Sequence, residues 1–342
     1  MAQQNTLKWD IPWSALFKIV LVAAVAYALF LIRDILILAL AALVISIIFN
    51  PAINFLSKKR IPHPVAAVLV YLVVVGIIGL LVYLAAPPII EEVGNFYQNF
   101  SDYFSEFMER FSELFRINLL DWNSLLNNSI INDNLLNVSK NIINFLYSFI
   151  GGTASMVTMF VLAFFLSVEE NELTKMIKSF APKKWEEDIL KAWQKSQEQV
   201  MGWFGGRLIA SLAVALMTFI VCLFLNIKLA VSISLISGML NLVPLIGPII
   251  SGALLFLLGI LNSWQTAFLL LIFSIIIQFI ENNLLTPFVS KQIIGIPNFL
   301  VLLSILIGGQ LLGAVGAILA IPLAAVVYET LRNYIVYKKE NE

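Results

Sequence analysis

Histidine and cysteine are almost missing: among 342 residues only His63 and Cys222 occur. That excludes an internal disulfide, a Cys/His zinc site and a serine–histidine triad. Charge is scarce as well, at 12% of residues, and its signs cancel, with 21 Lys+Arg against 21 Asp+Glu. No basic tract offers the electrostatic footprint that DNA or RNA requires, so no nucleic-acid partner is expected. There is no G-x-x-x-x-G-K-[ST] and no H-E-x-x-H, which removes a P-loop ATPase and a zinc protease, and no motif asks for a cofactor or a metal. An intramembrane enzyme is disfavoured too, because no serine has a histidine within a span to activate it. What is abundant is apolar: 60% of residues are hydrophobic and the mean hydropathy is +0.93, against ~45–50% apolar in soluble proteins. The composition is that of a polytopic membrane protein.

Spans and sidedness follow from apolar runs and from the placement of Lys and Arg. Residues 11–32 would reach ~33 Å as a helix, enough for a hydrocarbon core. The run is too long for a signal-peptide core and lacks a small-residue cleavage site, so a retained span is expected, with Lys18 snorkelling to the cytoplasmic end. Residues 35–49 are short enough to pair with it as a hairpin. Lys58, Lys59 and Arg60 in "SKKRIPHP" mark a cytoplasmic loop, so 65–86 runs outward and should stop at Pro87-Pro88. Residues 88–148 read as an extracytoplasmic helical insert. There Phe96, Phe100, Phe104, Phe107, Phe111 and Phe115 recur at helical spacing opposite Glu106, Glu109 and Glu113, which suits a packing stripe or, alternatively, lipid-headgroup contact or gating. Residues 149–168 return inward. The segment 169–207, rich in Lys and in acids alike, reads as a solvated cytoplasmic helix pair, and 208–225 crosses again. Units are thus expected at 1–87, 88–148, 149–168, 169–207, 208–337 and 338–342.

The run 229–261 contains "NLVPLIGPII". It is too long for one span and too short for two with a turn, and Pro244, Gly247 and Pro248 interrupt it. A break at that depth is tolerated only when buried in protein or lining a wet cavity, because hydrocarbon cannot satisfy free N–H and C=O groups. A re-entrant hairpin is the expected solution, a kinked and tilted helix the alternative. The run 299–328 is broken likewise at "IGGQLLGAVGAILAIP", where Gly308, Gly309, Gly313 and Gly316 permit tight turning and Gln310 falls at a tip. Opposed broken segments meeting near the midplane are how secondary transporters build substrate sites.

Between the breaks, 266–285 ends in "QFIENNLLTP". A carboxylate beside amides in an apolar span is a functional-site hypothesis, since burying it costs several kcal/mol unless it is paired or hydrated; the plainer reading is a helix cap at the water interface. Glu281 could accept a proton or a cation. Asn241, Gln278, Asn282, Asn283 and Gln310 could exchange hydrogen bonds with a small polar solute. The tail "YKKENE" places the C-terminus inside, alongside the N-terminus, in a multi-pass protein of the cell membrane.

These stretches carry a resemblance. "NLVPLIGPIISG", "ENNLLTPFVS" and "GIPNFLVLLSILIGGQLLGAVGAILAIPLAAVV", with "LIRDILILALAALVISIIFNPAINFLSKKRIPHPVA" near the start, resemble the autoinducer-2 exporter family, the PerM-like permeases, over nearly the whole chain. The link "SKQIIGIPNF" departs from the family's more usual Gly-containing, basic link. The resemblance implies an all-α fold of about eight hydrophobic segments, roughly six spanning helices plus two re-entrant hairpins, in a homo-oligomer, reported for the family as a pentamer, with elevator-like movement. It implies autoinducer-2 export for some members and sodium or lithium/proton antiport for others. By position, Asn241, Pro244, Gly247 and Pro248 match the first hairpin tip; Glu281, Asn282, Thr286 and Pro287 match the helix between; Gly308, Gly309 and Gly313 match the second tip.

The leading expectation is a non-enzymatic secondary permease exporting a small polar solute, autoinducer-2 foremost, with membrane lipid and further copies of the chain as partners. One alternative is a cation/proton antiporter using Glu281. Another is a non-transporting scaffold whose aromatic insert binds envelope partners.

Overall fold

The computed structural model describes residues 13–98, 105, 106, 109, 112, 154–183, 185–285 and 297–340. Among these the chain is helical, without a strand. The order is α1 (Trp13–Leu31), α2 (Arg33–Ser57), α3 (His63–Gln98), α4 (Ala154–Val168), α5 (Glu170–Phe180), α6 (Glu186–Phe224), α7 (Ala230–Leu240), α8 (Ile246–Ile260) and α9 (Trp264–Ile280). A π-helical turn, Glu281–Leu285, and α10 (Asn298–Glu340) complete it. Among the described residues four helices, at Arg33–Ser57, His63–Glu92, Glu186–Phe224 and Trp264–Leu285, are long and apolar enough to cross a membrane. The side chains of the expected aromatic stripe, Phe96 to Phe115, lie outside the described residues.

Three departures from the sequence expectations have physical causes. First, α1 and α2 do not pair as a hairpin. Only Ile32 separates them, in the bridge region at φ −97 and ψ 7, and helical hydrogen bonds continue across it, from Ile32 N–H to Ala28 O at 3.1 Å and from Leu36 N–H to Ile32 O at 3.0 Å. Accordingly Phe17, Leu21, Val25 and Leu29 of α1 remain exposed. Second, α3 does not stop at Pro87-Pro88 but runs through them. Pro88 cannot donate to the carbonyl four residues back, Leu84 O. Ser232 Oγ of α7 donates to that oxygen instead, at 3.3 Å. Third, the polar segment is a helix pair, α5 and the start of α6, and its second member runs without a break into the fifth span as one helix, α6, of 39 residues. Its first turns are solvated, with Lys191 Nζ 2.8 Å from Glu187 Oε1 on the surface.

Small residues let α2, α3 and α4 approach closely: Ala41, Ala42, Ala66, Ala67 and Ala163 are buried with Val44, Ile45, Val70 and Met159. Tyr71 lies at the centre, edge-on to Phe49, Phe160 and Phe164. Its hydroxyl is satisfied by Ser167 Oγ at 3.0 Å, which in turn donates to Ser46 Oγ at 2.9 Å. A second cluster joins Ala85 and Ile89 of α3 to Cys222 of α6, Ile233 and Ile236 of α7, and Leu254, Leu255 and Leu258 of α8.

Both proline- and glycine-broken runs are interrupted as helices. Between α7 and α8, Leu245 adopts φ +66, ψ −56, and Ile246 N–H bonds Pro244 O at 2.7 Å. This is a γ-turn of the rare, strained hand. Gly247 follows it, and a Cβ there would overlap the carbonyl of Leu240. In α10, Leu312 (φ −133, ψ 19) and Gly313 (φ 62, ψ −145) leave helical geometry; φ +62 is accessible to glycine without strain. A Cβ on Gly308 would overlap Gly316 O, and one on Gly316 would overlap Gly308 O. In a straight helix residues 308 and 316 would stand ~12 Å apart, so the arms Phe299–Gly313 and Val315–Tyr328 lie against each other. The two broken segments also meet: Val243 and Ile246 share a cluster with Val301, Ile305, Ala317, Ile318 and Ile321, and with Trp203 of α6.

Candidate functional site

Beside that meeting point lies a buried charge. Glu281 begins the π turn after α9 and its side chain is 0% exposed. Burying a carboxylate is costly unless it is paired and hydrogen-bonded, and each of its oxygens is engaged. Oε1 accepts from Arg207 Nη1 of α6 at 2.7 Å and from Asn241 Nδ2 at 3.0 Å. Oε2 accepts from Gln278 Nε2 at 2.9 Å.

Local structure explains each placement. Gln278 precedes Glu281 by three residues and so shares its helix face. Asn241 caps the C-terminal end of α7, where the chain leaves the helix for the γ-turn. Its amide oxygen accepts from Arg207 Nη2 at 3.3 Å while its NH2 serves Glu281. Asn241 thus bridges both members of the ion pair. Arg207 sits midway along α6, its side chain 13% exposed. The pair unites α6, the first break and the end of α9, and it is neutral as a unit.

Of the residues singled out from sequence, the structure gathers Asn241, Gln278, Glu281 and Asn282, the last through Gln278 Nε2 at 3.2 Å. Asn283 faces outward and donates to Phe279 O of its own helix at 2.9 Å. Pro244, Gly247 and Pro248 shape the turn that presents Asn241. Gly308, Gly309 and Gly313 shape the second break, whose Leu312 packs on the α2–α4 cluster. Gln310 there is exposed and makes none of the hydrogen bonds of the Glu281 group. Thr286 and Pro287 lie outside the described residues. Among the described residues no group of His, Cys, Asp and Glu could hold a metal ion.

Sequence reasoning missed Arg207. Counting it with the lysines of 169–207 assigned it to a solvated segment. The available signal was its position: it is followed by the apolar run from Leu208, so a helix continuing without interruption carries it inward.

Apolar helices of spanning length around a buried, amide-braced ion pair define a multi-pass membrane protein with a polar interior. The chain belongs to the AI-2E transporter family: the family model described as "AI-2E family transporter" matches residues 16–336. It is similar to "Putative transport protein YueF" of Bacillus subtilis, 24% identical over 309 residues, covering 86% of this chain and 83% of that protein. It is also similar to "Putative transport protein YrrI" of the same organism, 23% identical over 318 residues, 91% and 89% of the two chains. A "Putative transport protein" of Haemophilus influenzae is 28% identical over 301 residues, 83% and 82% of the two. The fold and these relatives together make the protein a membrane permease.

Proposed function

We propose that the protein is a secondary permease exporting a small, polar, uncharged organic solute across the cell membrane, with autoinducer-2 as the first candidate. The observation that carries this reading is the state of Glu281. Its charge is met by Arg207 at 2.7 Å, and its oxygens are occupied by Asn241 and Gln278. Such a site has no net charge with which to attract a cation, but it is dense in amide and guanidinium groups that hydroxyls can replace one for one. Cation/proton exchange requires a carboxylate free to trade a proton for an ion, which this arrangement does not offer. In the absence of a P-loop the driving force is a solute gradient, an ion gradient or a partner.

In this reading the breaks at 241–245 and 312–313 are the tips of re-entrant hairpins, and the exposed Leu245 and Gly313 face a wet cavity or a neighbouring copy of the chain, because irregular backbone cannot face lipid. The shared cluster of Val243, Ile246, Ile305 and Ile321 supports their moving as one body in an elevator-like step, within a homo-oligomer. Lys58, Lys59, Arg60, Lys338 and Lys339 support a cytoplasmic side for both termini under the positive-inside rule.

The test is uptake of labelled autoinducer-2 into everted vesicles with and without the protein, with a pH dye read during sodium addition and Glu281→Gln as control. Accumulation without sodium-driven proton movement is the expected result. Sodium-driven proton movement without accumulation, abolished in Glu281→Gln, overturns the reading in favour of antiport.

A further inference from the structure

Next to the ion pair, on the seam between α6 and α7, polar atoms are buried with nothing to bind. The two helices run antiparallel there. Arg207 Nη2 meets Asn241 Oδ1 at 3.3 Å; further along α6 and further back along α7, a Cβ on Gly238 would lie 3.0 Å from Ser211 O and 2.7 Å from Ala215 Cβ. Ser211 follows Arg207 by four residues and Ser237 precedes Asn241 by four. Their side chains therefore occupy the next layer on facing stripes. Both serines are buried, at 5% and 0% exposure. Neither hydroxyl has a hydrogen-bond partner, and neither has Arg207 Nε. Of six such orphaned side-chain atoms among the described residues, three fall in this one place. Native interiors keep few unpaired polar atoms, and a cluster of them calls for a partner that the chain itself does not supply.

The chemistry of the three atoms selects the ligand. Nε–H can only donate, and the hydroxyls can donate or accept, so their common partner is an atom with lone pairs. The guanidinium repels a cation, while Glu281 already balances its charge, so a neutral oxygen suffices. We propose that Arg207 Nε, Ser211 Oγ and Ser237 Oγ form a second solute subsite that takes a hydroxyl or carbonyl oxygen of the transported molecule. This rests on the permease reading above and adds to it a named point of specificity. The Asn241–Glu281 side of the site holds one part of the solute and the seam holds another, so a solute with a single polar group leaves the seam unfilled and is rejected.

The experiment compares wild type with Ser211→Ala and Ser237→Ala as full-length protein, using autoinducer-2 and a panel of short polyols as probes. Uptake into everted vesicles gives KM, and melting of the purified protein is followed with and without each probe. Each alanine should raise KM about fivefold, the loss expected for one neutral hydrogen bond. The melting temperature of the solute-free protein should stay level or rise, because an unpaired buried hydroxyl has been removed. A structural role has the opposite signature. If solute-free melting falls and KM does not move, the seam holds a resident water and the proposal is overturned. It is overturned equally if chloride, exchanged against gluconate, stabilises wild type but neither variant, which makes the seam an anion site. If wild type neither accumulates nor is stabilised by any probe, the permease reading falls and the subsite falls with it. Transport by wild type and by both variants with equal KM removes the subsite alone.

Discussion

Arg207 Nη1 stands 2.7 Å from Glu281 Oε1, although 74 residues separate them along the chain. The contact ties the middle of α6 to the end of α9, and Asn241 closes it from the first break. Removing either partner alone strands the other as a buried charge. Arg207→Gln and Glu281→Gln should each lower the unfolding free energy by about 3–5 kcal/mol. The double variant should lose clearly less than the sum of the two, as denaturant unfolding in detergent micelles will read out. Strict additivity would mean that the pair is solvated.

The backbone contact between Gly308 and Gly316 predicts a contrast within one motif. Gly308→Ala and Gly316→Ala each drive a methyl group into a carbonyl of the facing arm. Yield of folded protein should drop several-fold in both. Gly309→Ala should behave as wild type, because the nearest atom to its added methyl is Ala317 Cβ at 3.9 Å, an ordinary contact. Size-exclusion profiles of the three variants are sufficient.

Ser232 completes the hydrogen bond that Pro88 cannot make. Ser232→Ala should cost about 1 kcal/mol in the native background, by leaving Leu84 O without its donor. With Pro88→Ala also present, the N–H restored at position 88 reaches that oxygen through the helix ladder, and the same substitution should cost almost nothing. A double-mutant cycle on unfolding measures the coupling. Equal costs in the two backgrounds would show that the serine acts independently of the proline.

At Leu245 the usual ranking of small residues should invert. In a helix interior glycine is worse than alanine by ~1 kcal/mol. Here φ is +66, a region that costs a residue with a Cβ of order 1–3 kcal/mol. Leu245→Gly should therefore be more stable than Leu245→Ala by about 1 kcal/mol, measured by thermal unfolding of the two variants side by side.

These residues also show what could be read from sequence and what could not. The breaks at Pro244–Pro248 and Gly308–Gly313 were legible because proline and glycine act locally, through a missing N–H or a missing Cβ. Glu281 was legible because a carboxylate within an apolar run is conspicuous. Its partner was not, since Arg207 is conspicuous only once α6 is known to be continuous. The passage of α3 through Pro87-Pro88 was hidden for the same kind of reason: its remedy, Ser232, arrives from a helix 148 positions away. Local chemistry identifies where the chain departs from regular structure. The compensation for that departure is tertiary, and periodicity carries no trace of it.

The apolar knot of Val243, Ile246, Ile305, Ala317 and Ile321 gears one broken segment to the other. Withdrawing the first turn from the second would wet both surfaces at once, a penalty that grows with every square ångström uncovered. Rotation of the knot as a whole uncovers nothing within it. In the elevator-like step proposed above, the surface left to shear is the boundary with the α2–α4 bundle, where Leu312 and Val315 pack on a cluster of alanines and larger apolar side chains.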